Sequence, residues 1–358
     1  MTSYTTNAAY PYPSATDQLV DYPTTAGSLA GYLDFLPNRN RIINGAFDVW
    51  QRGGGGFIAT DGMYTADQWR YSQTGAGGTH TVTRVDQPTG STLIGGMNPR
   101  YYLRLSNTVI GSATAQIIGQ RIEDVRTLAG ESCTLSAWIK GTATGITAKV
   151  VQNFGTGGSP SSAVTTTLGT ATPTTSWVRL HVHFTMPSLS GKTIGTGENS
   201  FVEIQFDCGS SLGTLDLWGV QLEQNTTQTA FERESIQQTL AKCYRYFYKS
   251  FPLETTPADG VVLNGNYMAT VFTVNAARFT IYLPVTMRAT PTTTTIYRTS
   301  LTATNGQIGY FDGGAWQSGT GSAVPEAGPS VLTFAFAGTM TAFRSQLAAF
   351  HFTTSAEL

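Results

Sequence analysis

The stretch SCTLSAWIKG, residues 132–141, alternates with a period of two. Cys133, Leu135, Ala137 and Ile139 fall on one face, and Thr134, Ser136, Trp138 and Lys140 on the other. Successive side chains of a strand point to opposite faces, so this reads as a strand with one face in a core. Three more stretches behave alike. FVEIQFDCG sets Val202, Ile204, Phe206 and Cys208 against Glu203, Gln205 and Asp207. WVRLHVHF sets Val178, Leu180, Val182 and Phe184 against Arg179, His181 and His183. TLDLWGVQLE sets Leu215 and Leu217 against Asp216, Trp218 and Val220, with apolar residues on both faces. Strands of this kind, separated by Gly/Ser/Thr loops, are the pattern of an antiparallel sandwich.

Composition points the same way. The chain has 358 residues, 40% hydrophobic and only 12% charged, with 39 glycines. A soft prior gives two or three domains. Thr and aromatic residues suit a pleated surface, and Gly and Ser suit turns. The net charge of −1 supplies no global basic field for nucleic acid. Cys133, Cys208 and Cys243 form no CxxC pair and read as small buried hydrophobes of a protein made in a reducing compartment. The first residues show neither a basic start nor an apolar run, and no stretch approaches the roughly 18 apolar residues of a membrane span.

Outward from the strands, the organisation changes twice. Residues 1–36 place Tyr4, Tyr10, Tyr12, Tyr22 and Tyr32 among prolines and threonines without period. Such a segment reads either as an arm docking onto a partner or as one folded on its own domain. FERESIQQTLAKCYRYFYKS, 231–250, carries Ile236, Leu240, Cys243, Tyr244 and Phe247 at helical spacing, with Ser235 as N-cap. Its aromatics at Tyr244, Tyr246, Phe247 and Tyr248 need cover from the chain's own domains or from copies of it. Strand patterns resume after 250 and read as a second, smaller β domain. The expected division is an arm over 1–37, a sandwich over 38–232, a linking helix over 233–249 and a β domain over 250–358.

Catalytic motifs fail on context. The run Gly53–Gly56 is followed by loop and strand, whereas a phosphate cradle needs spaced glycines and a helix. It reads as a loop, or as a passage close to a neighbouring chain. SGKT at 190–193 lacks the upstream glycine of a Walker A motif. GSSLG at 209–213 surrounds Ser211, but a strand follows it where a nucleophile elbow needs a helix. His181 and His183 share a strand face, yet two ligands do not make a zinc site. The chain is therefore expected not to be an enzyme. Trp69 and Trp218 read as core. Trp316, in YFDGGAWQSGTG, is expected in a Gly-rich loop with Tyr310 and Phe311 and is the aromatic expected to be exposed to a ligand.

The phrases INGAFDVWQRG, YTADQWRYS, LSAWIKG and WGVQLEQNTTQTAFERESIQQTLAKCYRYFYKS stand in an order and spacing that resembles a family of bacteriophage tail-fibre and minor structural proteins. The resemblance runs from about Asn40 to about Tyr248, and the later LPVTMRATPT resembles the next region of those proteins. It implies a carbohydrate-binding-module-like, galactose-binding-like jelly roll, a homotrimer, and a place in the virion after synthesis in the host cytoplasm. It implies that residues 1–36 meet other virion proteins and that the protein contacts a host surface glycan. It also implies a structural calcium at Asp48 and Asp216. Leu217 departs from the family, which often has an acid or amide at that position. Two other readings stand: a structural adaptor, collar or head decoration protein, and a polysaccharide-degrading enzyme acting through Ser211.

Overall fold

The computed structural model describes residues 38–91, 93–261, 265–273, 275–299, 306–312, 314–323, 328–340 and 345–358. In the arm it describes only strands β1 (Ser3–Tyr4) and β2 (Pro11–Tyr12), which pair antiparallel. The docking role expected for residues 1–36 otherwise lies outside the described residues.

The fold is mainly β, with every strand pair antiparallel and one α-helix among the described residues. The first body is a sandwich. Its five-stranded sheet runs in the order β10 (Val164–Ala171), β9 (Ile146–Asn153), β12 (Phe201–Asp207), β7 (Ala115–Glu123), β4 (Arg70–Thr74). Its six-stranded sheet runs β11 (Val178–Thr185), β8 (Ser132–Gly141), β13 (Gly213–Glu223), β6 (Tyr101–Val109), β5 (Thr79–Asp86), β3 (Phe57–Ile58). The chain crosses between the sheets from β6 to β9 and again from β10 to β13, as in a jelly roll. The alternation at 132–141 is realised: Cys133, Leu135, Ala137 and Ile139 are fully buried between the sheets. Val202, Ile204, Phe206, Leu215, Leu217, Trp69 and Tyr71 join the same core.

One register break shapes the last strand. β13 pairs with β8 up to Trp218↔Trp138, then shifts, so that Gln221 faces Ser136. Gly219 at φ +62° supplies the left-handed residue of the bulge. Val220 turns into the core, and Trp218 lies on the outer side, buried beneath Phe231 at 5.1 Å between ring centroids.

The helix is shorter than its periodicity predicts. α1 spans Ile236–Tyr244, capped by Ser235, whose side chain accepts from Gln238 N while the Gln238 side chain accepts from Ser235 N. Residues expected to extend it instead form β14 (Phe247–Lys249), paired with the final strand through Phe247↔Ser355. Three backbone pairings and buried aromatic contacts outweigh local helix propensity there.

The second body is a closed barrel in the order β15 (Asn266–Thr273), β16 (Ala276–Tyr282), β20 (Val331–Ala337), β19 (Ala315–Ala323), β18 (Gln307–Asp312), β21 (Ser345–Ser355), with β21 returning to β15. The later half of β21 lies between β14 and β17 (Thr293–Arg298). Phe334, Phe336, Phe350, Phe352, Ile308 and Leu332 fill the barrel. The aromatics after α1 are covered by this body: Tyr248 packs on Phe352 at 5.8 Å, and Tyr246 and Phe247 are buried.

Candidate functional site

The β18–β19 hairpin carries the aromatics expected to meet a ligand. Trp316 lies on a strand of that hairpin, not in a loop. Phe311 and Trp316 are cross-strand partners on the outside of the barrel, their rings edge-to-face at 5.6 Å. Phe311 is 43% exposed and Trp316 partly exposed. Tyr310 is a correction: one residue along a strand reverses the side chain, so it points inward at 3% exposure. It stacks on Phe336 at 5.5 Å, donates its hydroxyl to the Thr339 carbonyl and cannot take a ligand.

The aromatic pair continues sideways through the register. Phe311 pairs with Leu347, and Leu347 with Met268, which is 64% exposed. Ser318, Asn266, Thr270 and Ser345 follow on the same outer face and are exposed. The result is a band of apolar side chains bordered by hydroxyls and an amide. An aromatic face with neutral hydrogen-bonding neighbours can stack a sugar ring and bond its hydroxyls. The band also suits an apolar protein surface.

The sandwich offers a second aromatic cluster, on the outer face of its six-stranded sheet. Tyr102 and Trp177 meet edge-to-face at 5.2 Å. Lys140 Nζ stands over both rings, at 5.0 and 4.8 Å from their centroids. That ammonium sits where a sugar would stack, and Tyr102 is only 6% exposed. Part of the same face, over Thr134 and Trp218, is covered by the segment 224–234, which folds back after β13. Arg179 donates to the Thr229 carbonyl at 2.5 Å and to Ser136 Oγ at 3.1 Å. Buried Glu223 accepts from Thr229 N and Oγ1 at 2.9 and 2.6 Å. Reading Trp177 from sequence would have required knowing that Lys140 and Tyr102 share its face, which only strand order reveals.

Of the two carboxylates expected to hold calcium, Asp216 does not fit that ion. Asp216 is fully buried and held by Arg104 through two bonds of 2.6 and 2.8 Å, with Lys140 at 3.4 Å. A hard divalent cation needs oxygen ligands, and here a guanidinium and an ammonium occupy the space. Asp48 faces Arg233 at 3.9 Å, and burial raises its carboxyl above the ordinary range. Among the described residues no group of three or more His, Cys, Asp or Glu is placed to hold a metal.

The Ser211 hydroxyl lies against Thr144 Oγ1 at 2.8 Å in the turn before β13. His183 is exposed and bonds the Cys133 carbonyl at 3.0 Å. The glycine run leads into β3, and it passes close to the chain's own residues. A Cβ at Gly53 (φ +106°) would meet Thr256 Oγ1 at 2.5 Å, and one at Gly54 would meet Arg84 Nε at 2.5 Å. A polar cleft of roughly 570 Å3 lies among Glu123, Asp124, Arg126, Glu198, Ser200 and Leu358. Among the described residues no helix is long and apolar enough to cross a membrane.

No family model matches the chain, and no curated protein matches it. Among solved structures it is similar to the enzymatically active domain of tailspike protein 4 of bacteriophage CBA120, at 18% identity and a TM-score of 0.33. That match covers 53% of this chain and 22% of the tailspike domain. The family 11 carbohydrate-binding module of a cellulosomal cellulase of Clostridium thermocellum matches at 16% identity and a TM-score of 0.30, covering 51% of this chain and 99% of the module. The xylan-binding domain of a Paenibacillus barcinonensis protein matches at 12% and 0.29, covering 49% of this chain and 99% of the domain. At these values the likeness extends to general shape and no further.

Proposed function

We propose that this chain is a structural virion protein of a bacteriophage, a trimeric tail fibre or fibre-like appendage that contacts a glycan of the host surface. The observation that carries the contact is the exposed Phe311–Trp316 pair with its border of Ser318, Asn266, Thr270 and Ser345. The phage assignment rests on the phrases INGAFDVWQRG, YTADQWRYS, LSAWIKG and WGVQLEQ in their order. The proposed role is binding; the reading of Ser211 as a nucleophile has little support, since its neighbour is a threonine hydroxyl where a nucleophile would need a base.

The test is binding of labelled full-length protein to host cells, competed with the cells' extracted polysaccharide. Saturable, competed binding that weakens at least tenfold in Phe311→Ala and Trp316→Ala is expected. Equal binding by both variants would remove the barrel face from the proposal.

A second reading has its own observation. The band runs on into Met268 and Leu347, aliphatic side chains better suited to a protein partner than to a sugar. On that reading the chain is an adaptor, collar or decoration component. Host binding would then be absent, and Met268→Ser would disturb virion assembly.

A further inference from the structure

Asp67 precedes β4 and is completely buried. Its carboxylate accepts from Gln51 N at 2.6 Å and from Gln51 Nε2 at 2.8 Å, and Arg52 stands 3.9 Å away. The next groups belong to the barrel. Gln51 Nε2 also donates to the Phe247 carbonyl at 2.9 Å. Arg52 stacks on the Phe247 ring, 3.8 Å from guanidinium carbon to centroid, and pairs with Glu357 at 2.7 Å. Gln68 donates to the same Glu357 carboxylate at 3.3 Å. One guanidinium thus serves two carboxylates, one from each body.

The segment that carries Glu357 is itself fastened on both sides. Ala356 N donates to the Tyr246 carbonyl at 2.8 Å. Arg288 donates to the carbonyls of Ala356 and Glu357 at 3.1 and 3.0 Å. The Tyr64 hydroxyl and Arg121 of the sandwich donate to the Leu358 carbonyl at 2.9 and 2.6 Å.

We propose that Asp67, Arg52 and Glu357 form a proton-dependent lock that fixes the barrel against the sandwich. The charged and titratable groups around Asp67 are few. Arg52 comes from its own body, Glu357 from the segment after β21, Lys249 from β14, and the Cys243 thiol and Tyr244 phenol from α1. Lys249 Nζ is engaged by the carbonyls of Leu253 and Thr255 at 2.7 and 2.6 Å. Arg52 is the cation in ion-pair contact with both carboxylates. Separating the bodies would remove Phe247, Lys249 and Glu357 and bring water to Asp67.

Burial pushes the Asp67 carboxyl up to about 6 from its ordinary 3.8; Arg52 and Gln51 pull it back, and Glu357 adds to the rise. A carboxyl raised in the docked state takes up a proton on docking. The contribution of Asp67 to the lock is fully present below its ordinary value and is lost as pH rises through about 6. If the whole rise belongs to docking, the equilibrium changes by about a hundredfold across that window, a decade for each unit. His351 on β21 acts in the opposite sense, because burial lowers its value and acid charges it. A comparison with Asp67→Asn isolates the lock from it.

The experiment uses the full chain. Scanning calorimetry between pH 4 and 8 follows whether the two bodies unfold together, and carbon-13 NMR titrates the Asp67 carboxyl. A single transition in acid that separates into two above neutrality, with an Asp67 midpoint near 6, is expected. Asp67→Asn should lose that pH dependence, and Glu357→Gln should lower the midpoint. An Asp67 midpoint near 4, or the same pH dependence in wild type and Asp67→Asn, overturns the proposal. Should Asp67→Asn fail to fold, the titrations of wild type and Glu357→Gln decide alone.

Discussion

Arg245 donates two hydrogen bonds of 2.7 Å to Glu123, joining the turn after α1 to the end of β7 in the sandwich. The bidentate geometry fixes an angle as well as a distance, so this pair orients the barrel as well as holding it. Burial pushes the Glu123 carboxyl up, but the bonds from Arg245 and Tyr246 outweigh that and hold it below its ordinary 4.5. A lowered carboxyl stabilises above its ordinary value and stops doing so as pH falls through the folded one. Both side chains are substantially exposed, at 42% and 30%, so solvent weakens the pair. A double-mutant cycle with Arg245→Met and Glu123→Gln should give a coupling of about 1 kcal/mol at pH 7. The coupling should fade as pH falls below 4.5 and the carboxyl takes up its proton. Persistence there would mean that the charges are not its source.

Gly219 is a second point of leverage. Alanine at φ +62° costs about 1–2 kcal/mol, and its Cβ would stand 3.0 Å from Trp138 Cδ1. Gly219→Ala should therefore destabilise the sandwich by at least that amount in urea denaturation. The denaturant slope should not change, since the surface exposed on unfolding is the same.

The barrel face behaves oppositely. Phe311 is 43% exposed and contacts its partner at an edge, so Phe311→Ala removes little buried area. Its stability cost should stay below about 1 kcal/mol, well under the roughly 3–5 kcal/mol of a core Phe→Ala such as Phe350→Ala. Melting curves of the two variants, run together, check this contrast. They also qualify Phe311→Ala as a clean probe of ligand binding.

His351 makes the barrel acid-sensitive. It is buried, stacked on Phe251 at 4.3 Å and bonded to Ser250 Oγ through Nδ1 at 3.0 Å. Burial holds its value below the ordinary 6.5, and the Ser250 bond opposes this. A lowered histidine favours the folded state while neutral, so its contribution is lost as pH falls below 6.5. Proton NMR of the ring should show a midpoint under 6.5, and the difference in stability between His351→Gln and wild type should shrink in acid. A midpoint at or above 6.5 would contradict the burial argument.

The sequence by itself determined what depends on neighbours along the chain. Alternation at 132–141 and 201–208 selected the core face, because a strand reverses its side chains at every residue. Ser235 announced the start of α1, because a cap is a contact within a single turn. The tertiary structure decided what depends on residues far apart. The end of α1 was set by Ser355, which takes Phe247 into a strand. Asp216 met Arg104 and Lys140 through strand order, and so became an ion-pair centre where a metal ligand was expected. Tyr310 and Phe311 are adjacent and both aromatic, yet barrel closure by β21 sent one inward and left the other outside. Arg52 and Asp67 lie close in sequence, but Glu357 comes 305 residues after Arg52. Their meeting is a property of how two bodies dock, and no local period records it.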